Sequence, residues 1–488
     1  MNKTPVFYDD TNKRWRFITL FCALFVSIFI LWLGLFIVTL YCAPTMNNAP
    51  LFLLWQKLMN EVTLDIVSVA IKLMIILMLI CVVYSLSQIG LLFILVGYQK
   101  FKSRGVVHPY QFDDSVAVII PAYNEGKVIL CTIDELLKAV HPSNFEVIVV
   151  NDGSTDNTWD LLTAHYAHHS KVKLITQLNQ GKSAALNYGI QHTQADIVIT
   201  VDADTIVSKM AIMELTSLFV DPKVGAVAGN IKVGNRTNWL TKMQAVEYIT
   251  NHNLLRRAFT MLNALMIVAG ATGAWRRDLV IALGGFPEDT LAEDEDLTLN
   301  IRKAGYSIQF SDKAITYTEA PDTIKLYLKQ RYRWVFGGLQ AFWKHRDILF
   351  KPRYGWLGFI VFPSAFMGLL FVPIIGPFME ILLLLGLLSS LLFNPAFYVW
   401  GVSANTPMML FVFSYLLFMA IEFLFGAVGF LLEPNEDKKL LWWLIPQRFF
   451  NRWALFYTAI KALHAALKGH AVGWDKFDRT ATVTTPQN

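Results

Sequence analysis

The chain has 488 residues, of which 55% are hydrophobic and 16% charged, and its formal net charge is +5. A composition this apolar excludes an ordinary soluble enzyme of that size, so part of the chain must face lipid. The positive balance does not point to nucleic acid. Lys13, Arg14, Arg16, Lys100, Lys102, Arg104, Lys351 and Arg353 stand beside apolar runs and not along one stripe.

In chain order, 17–41 and 64–98 are the first apolar runs, each long enough for a span of roughly 20 residues. Basic residues before the first and after the second put both flanks in the cytoplasm, with the nearly uncharged 42–63 loop outside. The first run is too long for a signal-peptide core and is followed by a second, so it is expected to be retained. Runs at 357–393 and 408–432 begin the C-terminal spans, four of which are expected, with 447–453 interrupting the last one. Segment 433–439 is near charge balance and sets no topology. The expected division is two N-terminal spans with cytoplasmic flanks (1–111), a catalytic domain (112–320), interfacial helices (321–353), C-terminal spans (354–468) and a short cytoplasmic tail (469–488). Cys22, Cys42, Cys81 and Cys131 have neither disulfide nor zinc spacing and read as small buried hydrophobes.

The segment between the spans reads as α/β. Apolar runs at 116–121, 145–150, 171–175 and 197–201 have the composition of buried parallel strands. Helical spacing at 125–139, 159–167 and 183–191 alternates with them. That alternation predicts βαβ units and a doubly wound sheet. Ligands of such sheets sit beyond the carboxyl ends of the strands. There the sequence places PAYNE at 121–125, NDGSTD at 151–156 and DAD at 202–204.

Asp202 and Asp204 are hard oxygen donors able to hold a divalent cation beside a diphosphate, although two acids around one spacer are more often a solvated turn. The 151–156 run fits an Asx turn and helix cap but leaves Asp152 unassigned. Asp152 can accept hydrogen bonds from a base, with Glu125 alongside. Lys182 follows a turn and either meets a diphosphate or stays in solvent. Glu293 and Asp294 open the helical pattern 297–304, where negative charge is favoured. One of those carboxylates is suited to general-base work on a sugar hydroxyl. Gln330, Arg333 and Trp334 lie in a basic amphipathic stretch that reads as an interfacial helix. Their side chains also suit phosphate and the apolar face of a sugar ring.

Taken in this order, the motifs over about 112–345 resemble those of the processive inverting glycosyltransferases of family 2: poly-N-acetylglucosamine, hyaluronan and chitin synthases and bacterial cellulose synthases. The resemblance implies a cytoplasmic GT-A type domain with a mixed, mainly parallel sheet, inserted between membrane helices of the plasma (inner) membrane. It implies that Pro121, Tyr123, Glu125, Asp152 and Lys182 bind a UDP-sugar donor. Asp202 and Asp204 would hold its diphosphate with Mg2+ or Mn2+. Asp294, preceded by Glu293, would be the base. Gln330, Arg333, Trp334 and Gly270, the last in an acceptor-contacting loop at 268–277, would line the junction of diphosphate and acceptor. Trp275 of that loop reads equally well as core. One departure is Ala292, where the family usually has threonine. The runs at 319–322, 334–340 and 473–479 are most similar to poly-N-acetylglucosamine and chitin-oligomer synthases, which favours UDP-N-acetylglucosamine. The implied partners are the donor, a growing polysaccharide, the bilayer and a small membrane or export subunit, but no nucleic acid.

Overall fold

The structure is a computed structural model. It describes residues 114–378, 380–381, 398–399, 402–403, 405–433 and 435–469, together with Gly90, Gly97 and Val483. The expected N-terminal spans, the stretch 382–397 and the tail lie outside the described residues, those isolated positions aside.

Strands β1 (Val116–Ala122), β2 (Phe145–Asp152), β3 (Val172–Gln177) and β4 (Ile197–Val201) run parallel, with β1 between β2 and β4. Next come β5 (Ile206–Val207), β6 (Val224–Val233), β7 (Thr272–Arg276) and β8 (Ser307–Thr318). The eight-stranded order is β3-β2-β1-β4-β7-β6-β8-β5. β7 is antiparallel to β4 and β6, β5 is antiparallel to β8, and β6 pairs parallel with β8. The sheet is therefore mixed and mainly parallel. Its first four strands follow the βαβ reading of the sequence, and its second half departs from a purely doubly wound sheet.

Alternation along β1 shows how the layers form. Val116, Val118 and Ile120 pack on one face with Ile129, Ile133 and Leu136 of α1 (Ile129–Lys138). Ile119 packs on the other face with Ala185, Leu186 and Ile190 of α3 (Lys182–Gln191). Ile129, Ile133 and Leu136 are separated by four and three positions, one stripe of a helix, so α1 needs no other reason to lie there. Helices α2 (Thr158–Tyr166) and α4 (Ala211–Thr216) join the first face, and α7 (Arg277–Ala282) and α8 (Glu293–Lys303) the second.

Helix α1 begins four residues later than its 125–139 pattern. Asn124 takes a φ of 55°, and the amides of both Val128 and Ile129 donate to the Glu125 carbonyl at 3.0 Å, so 125–128 form a turn. Helix α8 conversely begins at Glu293, because its four acids sit in a first turn whose exposed N–H groups favour them.

Helices α5 (Trp239–Glu247) and α6 (Leu254–Met261) are joined by a wide π-type turn, Tyr248–Asn253. The long helix α9 (Ile324–Lys344) is capped by the Thr323 hydroxyl, which accepts from the Leu326 amide at 3.4 Å. Among the described residues, two helices are long and apolar enough to cross a membrane: α10 (Leu357–Phe378) and, within α11 (Asn405–Leu432), the stretch Tyr415–Leu432. Helix α12 (Leu444–Lys468) packs Ala459 and Ala462 against Val335, Phe336 and Leu339 of α9.

Candidate active site

Parallel strands in register bring three loops out on one edge. Pro121 pairs with Val150, and Ile119 with Thr200, so the ends of β1, β2 and β4 align. Asn124 ties the first two loops: its Oδ1 accepts the amides of Thr155 at 2.6 Å and Asp156 at 3.2 Å. Its own amide donates to Ser154 Oγ at 2.9 Å. Pro121, Tyr123 and Glu125 are half-buried in this cluster.

Asp152 is buried and braces the next loop. Its Oδ1 accepts from Gln177 Nε2 at 2.7 Å and the Gln180 amide at 3.0 Å, and its Oδ2 accepts from the Gly181 amide at 2.9 Å. Gly181 has a φ of 93°, a region costly for any side chain. That turn starts α3 at Lys182 and folds its amine back over the sheet. Lys182 Nζ lies 2.5 Å from Asp202 Oδ1 and 3.7 Å from Glu293 Oε1. Lys182 is thus half-buried beside Asp202 and Glu293 and is not a solvated loop lysine. Burial works against its charge, but Asp202 and then Glu293 overcome this and raise its pKa.

Asp202 closes a turn in which its carbonyl accepts the Thr205 amide at 3.0 Å. Asp204 is 4% exposed, with Thr205 and Thr318 hydroxyls 3.3 and 3.5 Å from its Oδ1. The acids of α8 separate by their partners. Asp294 Oδ2 accepts the Gly270 amide at 2.9 Å and Oδ1 the Glu295 amide at 2.8 Å. Glu293 is buried, and burial, partly offset by Lys182, raises its pKa. Burial, then Asp294 and Asp296, pushes Glu295 up to about 8. Asp296 turns away to α9, where Lys344 Nζ and His345 Nε2 each lie 2.7 Å from it. That contact locks α8 against α9.

A cavity of about 480 Å³ gathers Lys182, Asp202, Asp204, Gly270, Glu293, Asp294, Gln330, Arg333 and Trp334 in its walls. Pro121, Tyr123, Glu125 and Asp152 do not line it; they hold the adjoining strand ends. Trp275 is fully buried, with its indole N–H donating to Thr200 Oγ1 at 3.2 Å. Its reading as core therefore holds. The cavity wall also holds Tyr248, His252 and Arg256, which the sequence reading did not single out. Their spacing of four along one helical stretch was the available signal. Burial, then Arg256 and Arg331, keeps His252 well below its ordinary pKa and so neutral.

Around this cavity stand six acids (Asp202, Asp204, Glu293, Asp294, Glu295, Glu319) against Lys182, Arg256 and Arg333. Negative charge in excess, with hard oxygens at Asp202 and Asp204, fits a divalent cation of the Mg2+ or Mn2+ type. Among the described residues no group of three or more His, Cys, Asp or Glu could hold a metal. The aspartate pair would therefore need oxygens from a bound substrate to complete a shell.

Residues 113–337 match a family described as "Glycosyltransferase like family 2". A Bacillus subtilis (strain 168) protein named "Probable glycosyltransferase YdaM" is 31% identical over 301 residues, which cover 58% of this chain and 72% of that one. The poly-beta-1,6-N-acetyl-D-glucosamine synthase of Staphylococcus aureus (strain COL) is 32% identical over 226 residues, 46% of this chain. The chain spans only 55% of that synthase's length. Among solved structures, a mannosyltransferase from Pyrobaculum calidifontis in complex with GDP-Man and Mn2+ overlaps 78% of this chain and 97% of its own, at 20% identity and a TM-score of 0.49. With the strand-end loops and acidic cavity on one sheet edge, the sequence match over most of the Bacillus relative places this chain in glycosyltransferase family 2.

Proposed function

We propose that the protein is a membrane-bound inverting glycosyltransferase that polymerises a UDP-sugar, UDP-N-acetylglucosamine in the first instance, into a β-linked extracellular polysaccharide. The observation that carries this reading is the shared cavity, whose wall brings together Asp294, the Lys182–Asp202 pair, Gln330, Arg333 and Trp334. Donor charge, base and acceptor surface then meet at one point. Poly-beta-1,6-N-acetyl-D-glucosamine synthase among the relatives supports the choice of sugar.

The reaction is a single displacement. Asp294 takes the proton of an acceptor hydroxyl while that oxygen bonds the anomeric carbon from the face opposite the leaving group. The bond from carbon to the UDP oxygen breaks, its electron pair stays on UDP, and the anomeric centre inverts. Lys182 and Arg333 meet the phosphate charge as it develops. The Gly270 and Glu295 amides hold the Asp294 carboxylate in place. Pro121, Tyr123, Glu125 and Asp152 form the uridine end. A Mg2+ or Mn2+ held by Asp202 and Asp204 would neutralise diphosphate charge.

Membrane attachment is supported by the apolar stretches of α10 and α11, only 22% and 28% of which are buried. Exposed Phe371, Phe378, Leu424 and Leu431 suit lipid and not water. On the basic flanks of the N-terminal runs, the catalytic domain faces the cytoplasm.

The cavity also reaches Phe342 of α9 and Phe366 and Leu369 of α10. An apolar limb at membrane level favours a second reading, single transfer to a lipid-borne acceptor. Purified protein in detergent, given Mn2+ and UDP-N-acetylglucosamine, separates the two by product length. A long β-linked polymer supports polymerisation. One sugar added only to a lipid acceptor supports the second reading, and no UDP release from any UDP-sugar sinks both.

A further inference from the structure

Between Gln330 and Arg333, α9 carries an arginine that the transfer reaction above does not use. Arg331 is 3% exposed, and its partner Glu247, at the end of α5, is 6% exposed. The pair is two-toothed, with Nη1 to Oε1 at 2.5 Å and Nη2 to Oε2 at 2.8 Å. Such a pair fixes the plane of the guanidinium as well as its position. The guanidinium centre lies 4.4 Å from the Trp334 ring centroid and 4.8 Å from that of Tyr327. Trp334 also meets the His252 ring at 5.8 Å between centroids. A third helix joins through Asn451 of α12, whose Nδ2 lies 3.5 Å from Glu247 Oε2 and whose Oδ1 accepts the Tyr327 hydroxyl at 2.9 Å.

A buried ion pair is a poor device for stability alone, since apolar residues of the same volume often do as well. Its geometric effect here is specific: it places a flat cation against the indole that lines the cavity. We propose that Arg331, locked by Glu247, is a positioning residue that holds Trp334 as the platform for the acceptor sugar. Through it, α5, α9 and α12 jointly set where that sugar lies relative to Asp294. This rests on the reading of Trp334 as an acceptor surface.

The test uses the full chain in detergent and two readouts: UDP release with water as the only acceptor, and transfer to an added N-acetylglucosamine oligosaccharide. E247Q and R331M are made singly. The double variant E247M/R331M removes both charges together and leaves no orphan ion, so it keeps the test usable where a single variant fails to fold. The double variant is expected to raise the acceptor KM about tenfold, the scale of a lost aromatic contact, with donor KM unchanged. R331K keeps the charge but not the two-toothed plane, so it does not restore acceptor KM. W334A gives the same loss, and adding it to the double variant costs nothing more, because the ring's placement is already gone. A folded double variant with unchanged acceptor KM, or losses that add fully to W334A, would overturn the inference. An unchanged acceptor KM in W334A alone would sink the platform reading, and the inference with it.

Discussion

Glu295 follows Asp294 along α8, and the two carboxyls meet different surroundings. Two backbone amides hold Asp294, whereas burial, then Asp294 and Asp296, pushes Glu295 from an ordinary value of 4.5 to about 8. Between those values the folded protein keeps a proton that the unfolded chain has lost. This contribution to stability is therefore complete below about pH 4.5 and is lost as pH rises through about 8. Thermal unfolding across that window is expected to show falling stability, and E295Q, which stays neutral, to flatten the fall; an unchanged pH slope in E295Q contradicts it. At Lys182, K182M removes a cation that meets Asp202 at 2.5 Å. It is expected to weaken UDP binding by roughly 10- to 100-fold, the range of a charge-assisted hydrogen bond, and calorimetric titration measures it. From sequence, Lys182 had two fates because a turn lysine can point either way. The choice is made by Gly181 and by Asp152 bracing that turn, contacts across 28 and 29 positions that no local pattern carries.

At the scale of elements, α9 is both wall and clamp. A Cβ on Gly337 would lie 3.0 Å from Ala292 Cβ and N and from the Leu291 carbonyl carbon. Backbone cannot yield cheaply there, so G337A is expected to wedge α9 from the loop that feeds α8 and displace Asp294. Relief of those 3.0 Å contacts needs only a few tenths of an ångström, so turnover is expected to fall by less than the about 100-fold of a 1 Å misplacement, with UDP binding kept. G338A meets the Leu369 side chain at 3.1 Å and Glu295 Oε2 at an ordinary 3.8 Å, both side chains that can move, and is expected to be milder. Equal kcat in G337A and wild type would contradict the clamp. Strands β1 to β4 were legible as apolar runs ending at polar clusters, because buried parallel strands need that composition. The antiparallel insertion of β7 between β4 and β6 was not, because its register is set by partners 75 or so positions away. Within the expected 268–277 loop, Thr272–Arg276 is a strand with Trp275 in the core.

Across the whole molecule, the catalytic sheet is joined to the end of α11 by buried charge. Lys232 of β6 lies 2.9 Å from Glu433 and 3.0 Å from Glu436, and Arg257 of α6 lies 2.7 Å from Glu433. The carboxylates offset the burial that works against the Lys232 charge and raise its pKa. Removing Glu433 leaves Lys232 with Glu436 at 3.0 Å and Arg257 with Asp312 at 2.5 Å, so E433Q is expected to destabilise by less than the about 3 to 5 kcal/mol of a fully orphaned buried charge. A lower unfolding temperature in detergent checks this; an unchanged one means the joint contributes nothing. Segment 433–439 is near charge balance in sequence, and that balance sets no topology. Balance along the chain says nothing about partners 200 positions away, such as Arg236 with Glu436.

Everything in the functional reading passes through the Asp294 carboxylate. The most direct measurement compares wild type with D294N, scoring UDP release and product formation from UDP-N-acetylglucosamine with Mn2+, beside UDP affinity. Loss of a positioned base costs about 100- to 10,000-fold in turnover, so D294N is expected to fall by at least about 100-fold while UDP affinity stays within about twofold. Turnover in D294N equal to that of wild type would contradict the account.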